Sequence, residues 1–299
     1  MRLSAPANLL LVGEYAILEP GGLGLCLAPE VRARLDWEPA ETWDAEFRFQ
    51  DRVLRYRGDG PPPELLAAVG GILGPLSPAR LILDTTDFSP GGRKLGLGSS
   101  AAAALLLTAA FLTQRDGARP TAPEAATVAV RVHRLFQGGR GSGYDVWCSA
   151  LGGTSVFEGG EAPRAEPVTL PWLPAVALVR GPAPVATGVA VGAFQDLRHR
   201  SPDRVAGYVR HSNASIRALR QAHRFEEALP ELHAAASRAR ALGQELGRPA
   251  EVPEGLQTFA FAKGVGAGDE LFVVLDSAEA LRQGGLQPLV LSTEGLRWE

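Results

Sequence analysis

The chain has 299 residues, 45% of them hydrophobic and 21% charged, with a formal net charge of −3 at pH 7. That length leaves room for two domains of about 150 residues each, and the small negative charge gives no electrostatic reason to bind nucleic acid or an acidic membrane. Two cysteines, Cys26 and Cys148, both in apolar stretches, exclude a disulfide-built scaffold and read as core.

Leu9 to Val12 is a short apolar run ended by Gly13, which predicts a buried strand. Glu14 and Tyr15 follow, placing a carboxylate and a phenol where a strand end can face a pocket. Leu23 to Leu27 resumes the apolar character, and Val31 to Trp37 alternates as a half-exposed strand does. Ala45–Phe49 and Val53–Arg57 predict a hairpin, Pro61 to Leu73 a helix, and Arg80–Asp84 a further strand. No apolar run reaches the ~18 residues of a membrane span, and the first residues carry no leader pattern; the expectation is a cytoplasmic protein.

The most informative stretch runs from Lys94 to Ala104. Gly96 and Gly98 let the backbone bend sharply and approach a ligand closely, and Ser99 and Ser100 stand where a helix cap and first turn belong. Ala101 to Thr108 are uncharged helix formers, so a helix is predicted from Ser99 to about Arg115. A helix start with free N–H groups favours phosphate, and Lys94 adds a full positive charge just before it. Lys94 and Lys263 are the only lysines in a chain whose other basic residues are arginine, and each borders a glycine-rich loop.

A second helix is predicted over Glu124–Phe136, opened by Pro123, with Ala126, Val130, His133 and Phe136 at helical spacing. With no partner at metal-ligand spacing, His133 reads as a half-buried polar residue of that helix. The loop Gly138–Tyr144 then brings its glycines close around Arg140 and Ser142 and ends at Asp145, which is either an ordinary helix cap or an acid near a phosphate site. Glu158–Pro171, rich in Gly, Pro and charge, reads as a linker. Ala175–Val179 predicts a strand, Gly181–Gly188 a loop, and Ser201–Ala222 and Arg224–Gly247 long amphipathic helices. Leu256–Ala262 predicts a shorter helix, Lys263–Glu270 a third glycine loop, Leu271–Leu275 a strand, Ala278–Gln283 a helix and Pro288–Leu291 a last strand.

Each glycine loop alone is a weak signal, but their order along the chain is specific. The set resembles the GHMP superfamily of small-molecule kinases, and most of all the phosphomevalonate kinase family. The likeness rests on Gly13–Gly21, on Gly92–Ser100, on Gly141–Val146, on Gly181–Thr187 and on Gly264–Asp269. It implies an α+β fold in two parts, a ribosomal protein S5 domain 2-like nucleotide-binding domain over residues 1–160 and a ferredoxin-like domain over 161–299, with the site between them. It implies ATP and Mg²⁺ as cofactors and transfer of the γ-phosphate to a small alcohol or phosphate monoester, by a monomer or homodimer without nucleic-acid or membrane partners.

Carried over residue by residue, the resemblance has Gly96, Leu97, Gly98, Ser99, Ser100 and Ala101 cradle the phosphates, with Ser100 also a ligand of Mg²⁺. Asp145 orients or deprotonates the acceptor, while Lys94 and Arg140 offset negative charge. Glu14, Tyr15, Ser142, Gly143, Tyr144, Thr187 and Ser212 are implied at the acceptor, and Gly266, Ala267 and Asp269 at the far wall of the cleft. Two departures stand out. Asn8 takes the place of a family lysine in Pro6-Ala7-Asn8, and Lys263 runs straight into Gly264 without the two residues usually between them. Mevalonate, a sugar, an inositol or homoserine is then an alternative acceptor, and a catalytically weak nucleotide- or metabolite-binding relative an alternative role.

Overall fold

The computed structural model describes residues 1–139, 141–181, 187–248, 251–265 and 271–299. In chain order its strands and helices are β1 (Arg2–Pro6), β2 (Leu9–Val12), β3 (Leu23–Leu27), β4 (Arg32–Pro39), β5 (Asp44–Phe49), β6 (Arg52–Tyr56), α1 (Glu64–Leu73), β7 (Ala79–Asp84), α2 (Ser99–Asp116), α3 (Ala122–Phe136), α4 (Tyr144–Leu151), β8 (Thr154–Glu158) and β9 (Arg164–Pro167). There follow β10 (Ala175–Arg180), α5 (Thr187–Arg200), α6 (Pro202–Gln221), α7 (Phe225–Glu245), β11 (Phe261–Gly264), β12 (Leu271–Asp276), α8 (Ala278–Gln283) and β13 (Arg297–Trp298). The architecture is α+β, in two compact units that are not contiguous in sequence: residues 1–9, 27–153 and 291–299 form one, residues 10–26 and 154–290 the other.

The first unit is built on a six-stranded sheet of order β13-β1-β4-β7-β5-β6, antiparallel except where β5 runs parallel to β7. Its central helix is α2. Every residue from Ala101 to Leu112 is buried, so this helix is apolar all round, as a helix enclosed on every side must be. It lies on β1 and β4 and is flanked by α1, α3 and α4. The small alanines of its first turns let those neighbours approach closely. α3 starts at a capping box: the Thr121 hydroxyl accepts from the Glu124 amide, and the Glu124 carboxylate accepts from the Thr121 amide at 2.8 Å.

The second unit contains the antiparallel sheet β10-β12-β11 and most of the sheet β2-β3-β8-β9. One of its cores gathers Tyr15, Ala190, Phe194, Leu197, Val205, Tyr208 and Leu242 around helices α5, α6 and α7. A second, of Ala177, Leu256, Phe272, Val274 and Leu281, lies on the β10-β12-β11 sheet.

Three expected elements differ. The helix predicted over Leu256–Ala262 is a short 3-10 turn at Glu254–Leu256 followed by strand β11, because Phe261 to Gly264 pair with Leu275 to Phe272 of β12. The expected linker Glu158–Pro171 contains β9, held to β8 over Glu158↔Arg164 by the hairpin register and by the Arg164–Glu158 ion pair at 2.8 Å. Pro288–Leu291 is not a strand; it contributes a single bridge, Pro29↔Leu291, and the last strand is β13. Proline has no N–H to give a ladder.

Candidate active site

In the first unit, the turn before α2 has the expected left-handed glycines, with φ of 75° at Gly96 and 73° at Gly98. Gly98 is the N-cap residue, and no side chain caps this end of the helix. An uncapped first turn presents N–H donors and the positive end of the helix dipole to an anion. A Cβ at Gly98 would run into the Asn8 carboxamide, which explains glycine there twice over.

Asn8, the residue in the family lysine's position, is 2% exposed. Its amide donates to the Leu97 carbonyl at 3.1 Å. Its side-chain nitrogen donates to Ser149 Oγ at 3.0 Å and to the Gly98 carbonyl at 3.4 Å. It therefore clasps the turn to α4 as a neutral group. Lys94 is exposed, and no ion pair holds it among the described residues.

The turn is joined to the second glycine loop through His133. Ser100 Oγ lies 3.1 Å from His133 Nε2, and Asp145 Oδ2 lies 3.3 Å from His133 Nδ1. A carboxylate against Nδ1 makes that nitrogen a donor to Asp145, while Nε2 shares a hydrogen bond with the Ser100 hydroxyl. The imidazole is buried, with 3% of its side chain exposed, while Asp145 keeps 19%. Burial pushes the Asp145 carboxyl up, but the charge and hydrogen bond of His133 and the amide of Val146, 3.0 Å from Oδ1, outweigh it and hold the group below the ordinary carboxylate value.

The loop itself is pinned from α3. Arg134 Nε donates to the Gly141 carbonyl at 3.0 Å, and its Nη2 donates to the Ser142 carbonyl at 2.9 Å. Burial lowers the Arg134 guanidinium's pKa, and the Asp145 charge raises it. Gly143 has φ of 89°, and a Cβ there would sit 2.8 Å from both methyls of Val130. Tyr144 opens α4, its amide donating to Ser142 Oγ at 3.4 Å. Neither His133 nor Arg134 stands out from the sequence as a site residue. What places them is helical spacing: adjacent positions at the end of α3 reach two different parts of the same loop.

Glu14, Tyr15 and Ser212 belong to the second unit. There the buried Lys263 ammonium pairs with Glu14 Oε1 and donates to the Leu11 carbonyl at 2.9 Å. The Tyr208 hydroxyl donates to the Glu14 carbonyl at 2.8 Å. Tyr15 has φ of 61°, a left-handed conformation that costs a non-glycine residue about 1–3 kcal/mol and is found at functional sites. Ser212 is buried on α6 beside Asn213, whose side chain ties Gly21 and Leu23 at 2.8 Å each. Arg140, Gly266, Ala267 and Asp269, and the side chain of Thr187, lie outside the described residues.

The donor set at the α2 end suits a nucleotide with Mg²⁺: an uncapped helix turn for phosphate, and hard oxygen donors in the Ser100 hydroxyl and the ionised Asp145. The described residues contain no group of three or more His, Cys, Asp or Glu able to hold a metal by themselves, and Mg²⁺ bound through substrate phosphates needs none. No helix among the described residues is long and apolar enough to cross a membrane.

Residues 86–153 match the model of the GHMP kinases N terminal domain. No curated protein matches in sequence. Among solved structures, the Lin0012 protein of Listeria innocua superposes with a TM-score of 0.79 at 19% identity, over 99% of each chain. Phosphomevalonate kinase of Streptococcus pneumoniae, in complex with phosphomevalonate and AMPPNP, gives 0.78 at 18% identity, covering 97% of this chain and 99% of that one. Galactokinase of Lactococcus lactis, complexed with galactose, gives 0.67 at 13% identity over 99% and 94%. The chain thus has the α+β fold of these solved kinases, and its residues 86–153 match the model of the GHMP kinases N terminal domain.

Proposed function

We propose that the protein is an ATP-dependent kinase of a small alcohol or phosphate monoester, most like phosphomevalonate kinase. The observation that carries this reading is the chain Ser100–His133–Asp145, which ties an uncapped phosphate-binding helix end to an ionised carboxylate. Phosphoryl transfer asks a protein mainly for placement and charge stabilisation. The first turn of α2 receives the phosphate oxygens. Asp145 takes the proton of an alcohol acceptor, or orients the attacking phosphate oxygen of a monoester, as that acceptor oxygen bonds to the γ-phosphorus and the bond to the departing nucleoside diphosphate breaks. His133 keeps that carboxylate ionised and aimed. The Ser100 hydroxyl would hold Mg²⁺ together with the nucleotide's phosphates, and the ion would supply neutralising charge there.

The test is ATP consumption measured over phosphomevalonate, mevalonate, homoserine, sugars and inositols. One acceptor is expected to stand out, and Asp145→Asn to lower its turnover by about two to four orders of magnitude, the usual share of general-base catalysis, while affinity for an ATP analogue is kept. Turnover unchanged in Asp145→Asn rejects the assigned role. The buried, neutral Asn8 clasp supports a second reading, a nucleotide-binding relative with weak turnover; it predicts ATP-analogue binding without consumption on any acceptor.

A further inference from the structure

Strand β6 is an outer edge of the six-stranded sheet, and among the described residues no backbone hydrogen bond reaches its outward side. It is joined to β5 by a two-residue turn, Gln50-Asp51, closed by Phe49↔Arg52. The pair that closes such a turn exchanges both backbone hydrogen bonds, and the pattern then alternates. Arg52, Leu54 and Tyr56 therefore turn their N–H and C=O groups toward β5, while Val53 and Arg55 turn theirs outward. The side chains are open as well: Val53 is 54% exposed and Leu54 41%. An edge of this kind is a template for another strand.

The charges along the hairpin indicate which strand. Glu46 pairs with Arg48 and Arg55, Arg48 also faces Asp84, and Asp44 pairs with Arg80. Asp51, Arg52 and Arg57 are exposed along the same edge and have no ion-pair partner among the described residues. Laid antiparallel against a second copy of itself about a two-fold axis at Leu54, β6 answers each of them. Asp51 falls opposite the partner's Arg57, Arg52 opposite the partner's Tyr56, Val53 opposite the partner's Arg55, and Leu54 opposite its own equivalent. Opposite charges, and a cation against an aromatic ring, are favourable cross-strand pairs. Leu54 occupies a non-hydrogen-bonded position, where facing side chains come closest. The neighbouring registers are poorer. An axis at Arg55 opposes the two Arg55 side chains and sets Asp51 against Asp59, and an axis at Val53 leaves Arg57 facing Phe49. An edge merely blunted by charge would repel its own copy in every register.

We infer that β6 is the interface of a homodimer, in which two copies of this chain join their six-stranded sheets edge to edge about a two-fold axis at Leu54. One patch then serves both copies, as a two-fold interface requires. The contact is small beside ordinary stable interfaces, so the association is weak and depends on protein concentration. It uses the first unit alone and is independent of the kinase reading.

The experiment is sedimentation velocity of the full chain over a series of concentrations, with a thermal melt of each variant as the check on folding. A monomer–dimer equilibrium is expected. Arg57→Asp turns two attractions into two repulsions and should weaken the dimer at least about tenfold. Asp51→Arg added to it restores opposite charges in reversed order and should return most of the affinity. Both side chains are exposed, so the melting temperature should stay put.

Leu54→Cys reads the register directly. Facing Cα atoms at a non-hydrogen-bonded pair are about 4.5 Å apart, within disulfide range, and the chain's own Cys26 and Cys148 are buried. Oxidised glutathione should cross-link Leu54→Cys into a covalent dimer. Val53→Cys, whose equivalents lie diagonally at about 7–8 Å, should cross-link far less. Absence of the Leu54→Cys cross-link at every concentration overturns the inference, and so does a dimer indifferent to Arg57→Asp. Failure of every acceptor to consume ATP would defeat the kinase reading and leave these results standing.

Discussion

Replacing His133 by phenylalanine keeps a ring of similar volume against Phe136, whose ring centroid is 6.4 Å away, and removes both nitrogens. The substitution takes one hydrogen bond from the Asp145 carboxylate and leaves the Ser100 hydroxyl without its partner. A hydrogen bond to a charged group is worth about 1.5–3 kcal/mol and a neutral one about 1. Asp145 keeps some solvent, which favours the lower end, so the cost is about 2.5 kcal/mol. In a chain of this size that is a fall in melting temperature of roughly 4 °C. The assay is thermal unfolding of four proteins: wild type, His133→Phe, Asp145→Asn and the double variant. Because the penalty runs through the carboxylate's charge, His133→Phe should cost about 1.5–2 kcal/mol less in the Asp145→Asn background. The pH dependence has a definite sign. In the wild type the depressed Asp145 value adds stability that is present above the unfolded carboxyl's ~3.9 and is lost as pH falls through the folded value. In His133→Phe burial dominates and the carboxyl rises, so stability is lost as pH rises through it. The gap between the two proteins is therefore widest near neutrality and narrows toward pH 4. Equal losses in both backgrounds, or a gap indifferent to pH, would refute the reasoning.

Gly98→Ala should lower the melting point and weaken ATP-analogue binding together. The left-handed backbone costs about 1 kcal/mol and the collision with Asn8 about 1–3 more; Asn8→Gly in the same chain should recover the second part in unfolding experiments. Asn8→Lys places an ammonium where a buried carboxamide bridges Gly98 and Ser149, so thermal melts should show a clear loss of stability and steady-state assays no gain in turnover. Lys263→Met leaves the Glu14 carboxylate buried and unpaired, for about 3–5 kcal/mol; urea unfolding at pH 7 should register it, and Glu14→Leu added to it should return most of the loss.

What a linear reading can reach depends on whether the signal is local. The glycine turn and alanine run of α2, the alternating hairpin and the long amphipathic helices carry their patterns within about twenty residues. β11 was hidden because Phe261-Ala262-Lys263-Gly264 is too short to show a period, and only its pairing with β12 makes it a strand. β9 is short and mostly polar, which suits an exposed edge and reads from sequence as linker. The site had the same divide. Gly98, Ser100 and Asp145 announce themselves within their loops. His133 does not, since its meaning lies in Ser100, 33 positions before it, and Asp145, 12 after. Likewise the Lys263–Glu14 pair joins residues 249 positions apart, and no local spacing encodes it.

The interleaving of the two units has a consequence for biosynthesis. The polypeptide passes from one to the other four times, at residues 9–10, 26–27, 153–154 and 290–291. Strand β1 pairs with β4 on one side and on the other with β13, through Leu3↔Trp298 and Ser4↔Arg297, and the Ser4 hydroxyl reaches Glu299 at 2.8 Å. A nascent chain therefore cannot finish the first unit until residues 291–299 clear the ribosome, and pairings this distant are slow to close. Neither half cut at a single point would be a foldable fragment, and loss of residues 297–299 should slow maturation before it dents the mature protein's resistance to heat.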